Sequence, residues 1–262
     1  MGLPSELYDR EYFLSDRCEG WDRFRAGGEL SPIRAKQVRM LRPGPGVKVL
    51  DAGCGRGEVL RACALAGAEV AGFDYAHAAG ELSRQTLAEF DHVDVRQAEV
   101  ERLPWSDASF DRVLLGDVIE HLGDDQIAAG LRELNRVLRP GGKLVVHTAP
   151  NLLFLRFGWP LARLPVCLAG YGRSAQAVDA WIAASKSYHV NEQSVFTLRR
   201  ALRDGGFAEV RAWIDPDVLR GGEHHLTGDV ADGPLARAVA RVVAVRPLRL
   251  VLGNDLYAVG YA

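Results

Sequence analysis

With 262 residues, 48% hydrophobic and 25% charged, the chain suits one α/β domain carrying an insertion or a small appendage, and it is large enough to bury a sizeable core. A formal charge of -2 argues against a nucleic-acid partner, because phosphate binding draws on a clear basic excess. Cys18, Cys54, Cys63 and Cys167 show neither C-x-x-C pairing nor zinc spacing, which suits free thiols in a reducing cytoplasm.

Residues 1–10 are polar and carry no signal-peptide pattern. Residues 3–30 set Tyr8, Tyr12, Phe13, Trp21 and Phe24 among acids and arginines. Such an arm either covers a neighbouring site or is simply stapled onto the core. Ser31-Pro32 caps a predicted helix along Ile33, Gln37, Val38 and Leu41, which ends before the Pro43-Gly-Pro-Gly46 turn. The chain restarts as a strand at Val47, Val49 and Leu50, reaches Asp51, and enters a turn with glycines at 53, 55 and 57. At such a turn a Cβ would collide with a ligand brought close to the main chain, and the following helix presents its positive end there.

A helix over 58–66 and a strand over 69–73, ending in Asp74, complete one strand–turn–helix–strand unit. At that distance an acid can meet a ribose hydroxyl pair. A helix over 77–90, a strand over 91–97, a loop over 98–105 and a strand over 110–115 follow. The last is apolar without alternation, as a strand covered on both faces should be. A helix over 125–138 stops at Arg139-Pro-Gly-Gly142, and a fifth strand runs over 143–148. This rhythm predicts a doubly wound, mostly parallel sheet. Residues 150–190 break it, with three prolines, Trp159, Trp181 and apolar runs but no clean strand. Arg156, Arg163, Pro160 and Pro165 would interrupt a bilayer-spanning helix, so no membrane span is expected and the stretch reads as a lid. A helix over 194–202, a strand over 207–214, a polar loop over 221–233, a helix over 235–245 and a strand over 255–261 close the chain. The last two strands would make a hairpin at the sheet edge, separated by a long excursion.

The glycine spacing decides against two ligand classes. Gly53-Cys-Gly-Arg-Gly57 is G-x-G-x-G, one residue short of the dinucleotide fingerprint, and no Gly-Lys-Ser/Thr follows to make a P-loop. The run VLDAGCGRG, then GFD, then AEVERLPWSDASFDRVLLGDVIEHL, then RVLRPGGKLVV resembles the class I S-adenosylmethionine-dependent methyltransferases, in their small-molecule, ubiquinone-type branch. The resemblance covers residues 47–150 and echoes weakly at HVNE and LRDGGF.

That resemblance implies a seven-stranded Rossmann-like methyltransferase fold in a single domain. Its parts would be an N-terminal arm and helix (1–42), a cofactor core (43–149), a lid after strand 5 (150–190) and a C-terminal part (191–262). S-adenosyl-L-methionine is the implied cofactor. Asp51, Gly53 and Gly55 would receive its methionine part, and Asp74 would hold both ribose hydroxyls. Tyr75 would pack on adenine, with Glu99 and the Val100 main chain beside the adenine amino group. The Gly116 carbonyl would meet the ammonium, and Arg34 and Tyr12 are candidates for the carboxylate end.

The sulfonium is already a leaving group, so alignment and water exclusion are the main tasks, while an oxygen acceptor also needs its proton removed. Among the seven histidines, His77 and His92 lie away from the expected site. His121, His147 and His189 are the candidate bases. The adjacent His224 and His225 point apart and lack a third ligand, so no metal is expected. The apolar residues of 150–190, from Leu152 to Trp181, favour a partly hydrophobic acceptor such as a natural product, decorated sugar or lipid-like intermediate, most simply O-methylated. The alternatives are a non-methylating reaction such as cyclisation on the same scaffold, or a non-catalytic cofactor-binding partner subunit. A cytoplasmic monomer or homodimer is the expected form.

Overall fold

The computed structural model describes residues 3–91, 93–168, 170–215, 245 and 247–262. Seven strands form one sheet: β1 (Lys48–Ala52), β2 (Glu69–Asp74), β3 (Val93–Gln97), β4 (Phe110–Gly116), β5 (Leu138–Thr148), β6 (Ala208–Ile214) and β7 (Leu256–Tyr261). Their order is β3-β2-β1-β4-β5-β7-β6. Strands β1 to β5 are mutually parallel, and β7 runs antiparallel to both β5 and β6. The closing hairpin therefore exists, but β7 is an interior strand and only β6 is an edge.

The unalternated apolar strands follow from cover on both faces. Leu50, Val113, Leu115, Leu144 and Val146 face one core with Leu131, Leu134, Leu198 and Leu202. Their neighbours Val49, Leu114 and Val145 face the other with Leu41, Leu60 and Cys63. The covering helices are α3 (Pro32–Leu41), α4 (Glu58–Leu65), α5 (His77–Thr86), α6 (Asp124–Val137) and α9 (Val195–Asp204). Ser31 caps α3 by accepting from the Arg34 N–H at 3.2 Å, as its position before Pro32 predicts.

Two boundaries differ from expectation by more than two residues. Helix α5 ends at Thr86, four residues short. Strand β5 begins at Leu138 instead of 143: Leu138 pairs with Phe110, and an irregularity in the β4–β5 register absorbs the Pro140-Gly-Gly turn. A turn signal was expected to separate helix from strand, and here it sits inside the strand as a bulge.

The N-terminal arm contains α1 (Arg10–Phe13) and α2 (Trp21–Gly27). Its Tyr8, Tyr12, Phe13 and Cys18 are buried against Ala76, Ala79 and Leu82 at the start of α5. After β5 the chain is helical, with α7 (Trp159–Leu168) and α8 (Gly172–Ser185) packed around Trp159, Ala175 and Val178. A short α10 (Leu248–Leu252) precedes β7. No helix among the described residues is long and apolar enough to cross a membrane. The expected helix over 235–245, the loop over 221–233, His92 and the His224-His225 pair lie outside the described residues, save Val245.

Candidate active site

The carboxyl ends of the parallel strands converge where the strand order reverses, between β1 and β4. Open α/β sheets bind ligands at this switch point. Asp51, Asp74, Gly116 and His147 all stand at or near strand ends on this rim.

The turn after β1 is built on left-handed backbone. Gly53, Gly55 and Gly57 have φ of 77°, 50° and 82°, which side chains rarely tolerate. Space adds a second reason, though a different one from the close ligand approach read in the sequence. A Cβ on Gly53 would lie 2.4 Å from Val118 Cγ2, and one on Gly57 3.1 Å from Ser83 Cα. The crowding is by the protein itself.

Asp74 closes the turn. It accepts from the Gly55 N–H at 3.1 Å and from the Ala76 N–H at 3.0 Å. Burial pushes its carboxyl up to about 6 against those two donors. Asp51 is buried behind the turn, and burial pushes it up to about 7 even with the Arg34 guanidinium acting against the shift.

A cavity of about 580 Å3 opens above this rim, within the usual range for a small-molecule site. Of the expected cofactor residues, Tyr12, Arg34, Gly53, Gly55, Asp74, Tyr75, Glu99, Val100 and Gly116 line it; Asp51 does not. Arg34 reaches the wall with its donors already engaged. Its guanidinium lies 3.3 Å from Glu58 and donates to the Glu19 carbonyl at 3.2 and 3.3 Å. Gly116 is covered by Gln37, whose Nε2 would be 2.9 Å from a Cβ there.

Residues 50–146 match the methyltransferase domain family. A demethylmenaquinone methyltransferase of Clavibacter sepedonicus is 31% identical over 214 residues, covering 80% of this chain and 84% of its own length. The chain belongs to the class I S-adenosylmethionine-dependent methyltransferases. S-adenosylmethionine is accordingly its cofactor. A ubiquinone biosynthesis O-methyltransferase of Mesorhizobium japonicum is 30% identical over 159 residues, covering 55% of this methyltransferase and 63% of its own length. A geranyl diphosphate methyltransferase solved with S-adenosylmethionine superposes with a TM-score of 0.60 at 20% identity, covering 97% of this chain and 94% of its own.

The cavity fits that cofactor. It offers a carboxylate at the end of β2, a floor at Gly53 and Gly55 that carries no side chain, and an apolar wall at Val100. In the methyltransferase the opposite wall sets Tyr8, Trp181, His121 and His189 beside the carboxylates of Asp117 and Glu120. His121 Nδ1 lies 2.7 Å from the Tyr188 carbonyl and 2.8 Å from the Tyr8 hydroxyl. A carbonyl at that distance requires N–H on Nδ1, so Nε2 keeps the lone pair. Burial holds His121 below the ordinary histidine range. His189 packs edge-on at 4.9 Å, and burial with His121 beside it lowers it to about 3.

His147 is placed differently from the other two candidate bases. It is buried with Nδ1 2.6 Å from Asp117 and Nε2 3.5 Å from Asp255. Burial opposes its charge, but the two carboxylates prevail and hold its pKa well above the usual value. An imidazolium between two acids has no lone pair to offer. His77 lies on the exposed side of α5, away from the cavity.

Two site residues were assigned no role from the sequence. Glu120 is buried, accepts from the Thr148 hydroxyl at 2.8 Å, and is pushed up to about 8 by burial and by Asp117. Arg56, inside the glycine turn, is fully buried and donates to the carbonyls of Phe13 at 2.5 Å and Glu19 at 2.6 Å and to Glu58 at 2.9 Å. Arginine is so seldom fully buried that nothing in its local sequence signals this anchor. The apolar residues of 150–190 also behave otherwise than expected. Of that cluster only Trp181 lines the cavity, while Phe157, Leu161, Leu164 and Leu168 are exposed. They fall on one outward stripe of α7 and the turn before it.

Proposed function

We propose that this methyltransferase transfers the sulfonium methyl to an oxygen of a small, partly hydrophobic acceptor by direct displacement. The observation that carries the reading is one continuous cavity among the described residues. It joins the glycine turn to a wall of Tyr8, Tyr12, Trp181, Glu120, His121 and His189, so cofactor and acceptor share one chamber. Aromatic rings around a few convergent polar groups suit a flat, mostly apolar molecule with one reactive oxygen. The two relatives named for menaquinone and ubiquinone methylation support a quinone-type ring as acceptor. A natural product of similar character, a decorated sugar or a lipid-like intermediate would meet the same wall.

In this reading Asp74 holds the ribose hydroxyls, and Tyr75, Glu99 and Val100 border the adenine. Gly53, Gly55 and the Gly116 carbonyl receive the methionine part, with Arg34 and Tyr12 toward its carboxylate and Asp51 acting from behind the turn. The acceptor oxygen attacks the methyl carbon as the carbon–sulfur bond breaks, and the neutral thioether leaves. Proximity and exclusion of water do most of this work. The acceptor's proton passes to the polar end of the chamber, where His121 and His189 are the uncharged imidazoles; His147 positions Asp117 from below.

Product mass spectrometry on a panel of hydroxylated quinones and phenols tests the reading. The expected result is a gain of one methyl and stoichiometric S-adenosylhomocysteine. Turnover of an acceptor without a mass gain would replace methyl transfer by another reaction in the same chamber.

A further inference from the structure

The acceptor end of the cavity is richer in donor atoms than alignment alone requires. Glu120, His121 and His189 each place one ligating atom within 4.8 Å of the others. They arrive from different elements: Glu120 and His121 from the 3-10 turn after β4, His189 from the loop that follows α8. His189 Nδ1 is buried without a hydrogen-bond partner. His121 is held through Nδ1 by the Tyr188 carbonyl, and Glu120 through one oxygen by the Thr148 hydroxyl. Each is the arrangement that orients a ligand from its far side while leaving a lone pair forward.

We propose that Glu120, His121 and His189 bind a divalent first-row transition ion, from Mn2+ to Zn2+, at the acceptor end of the chamber. Two imidazoles with one carboxylate favour such an ion over Mg2+ or Ca2+, which prefer oxygen throughout. Metal–ligand bonds of about 2.0–2.2 Å bring ligating atoms to roughly 3 Å of one another, so binding an ion requires the three to close from within 4.8 Å. Three protein ligands leave positions open for the acceptor. The catalytic consequence rests on the methyl-transfer reading. An acceptor hydroxyl bound at an open position loses its proton to water, attacks the sulfonium methyl as an oxyanion, and releases the thioether. The acceptor class narrows to molecules with an ionisable hydroxyl beside a second oxygen, such as catechol-type or hydroxyquinone rings. This replaces the metal-independent expectation, which considered only His224 and His225 because His189 is brought to His121 by the fold alone.

Untagged protein is stripped with chelator and titrated with Mn2+, followed by loss of the free-ion electron paramagnetic resonance signal, and with Zn2+ against a chromophoric chelator. One ion per chain is expected, at least about tenfold weaker in His189→Ala and in Glu120→Gln and unchanged in His224→Ala/His225→Ala. S-adenosylmethionine calorimetry on each variant establishes that it is folded. Uptake of no ion, or equal affinity in His189→Ala, overturns the site, as does loss of uptake in the His224/His225 variant. Ion uptake at the three residues without any methylated product leaves the metal site standing and removes the methyl-transfer reading. Methylation that is indifferent to chelation, with no uptake, does the reverse.

Discussion

At the residue scale, two buried charged groups carry most of what is specific to this turn. Asp74 accepts from two main-chain N–H donors before any ligand arrives, which holds its carboxylate at the chamber lining. Asp74→Ala should weaken S-adenosylmethionine binding by about 1–3 kcal/mol, the scale of losing charge-assisted hydrogen bonds. Unchanged calorimetric affinity would remove the ribose assignment. Arg56 works in the opposite direction, from the turn outward to the arm. Its guanidinium ties together the carbonyls of Phe13 and Glu19 and the Glu58 carboxylate, and the Phe24 ring lies 5.2 Å from it. Arg56→Ala should cost about 1–3 kcal/mol of stability, because it leaves the buried Phe13 carbonyl without its donor while Arg34 still holds Glu58 and the Glu19 carbonyl. Urea unfolding reads the loss, and limited proteolysis should show the arm cut first. An arm as resistant as in the wild type would mean that its aromatic residues suffice to hold it.

Among the elements, α6 illustrates how closely the site is tied to the scaffold. Its apolar stripe of Ile127, Leu131, Leu134 and Val137 is buried against the sheet, and its spacing was legible in the sequence. Gly130 was not, since a glycine inside a helix ordinarily costs stability relative to alanine. The structure supplies the reason: a Cβ there would lie 2.8 and 2.9 Å from the two methyls of Val100, on the chamber wall. Gly130→Ala gains helix propensity but pushes a stiff, branched side chain, so the overpacking cost of about 1–3 kcal/mol should prevail. Denaturant midpoints would show the net sign, and a stabilised variant would mean that the Val100 loop yields freely. The same contrast separates what was readable elsewhere. Strand and helix order and the glycine turn follow from local pattern, and Asp74 and Glu99 were singled out by the family motif around them. The Tyr8–His121–Tyr188 cluster, the His147 clamp and the outward stripe of α7 depend on contacts between residues far apart in the chain, which no period or spacing encodes.

For the molecule as a whole, the concentration of buried acids at one end of the sheet sets an unusual pH response. Asp51 and Glu120 are held up to about 7 and about 8 from ordinary values of 3.8 and 4.5, and His147 well above 6.5. Between about pH 6.5 and 8 the folded chain therefore still holds protons on Glu120 and His147, and in the lower half of the window on Asp51, that the unfolded chain has released. More protons bound in the native state means that stability falls as pH rises through this window. His121 and His189, shifted down, oppose this only below about 6.5, and Asp117, also shifted down, acts only at acid pH. Lys143, lowered to about 8, begins to oppose at the upper end. The cofactor-free, chelator-treated methyltransferase should accordingly show a melting temperature that drops from pH 6.5 to 8 at constant ionic strength. Glu120→Gln removes one of the three protons from the balance and should flatten that slope. A melting temperature that is level or rising across the same window would mean that these acids ionise in the native state as readily as in water, and would undo the buried-carboxylate account of the site.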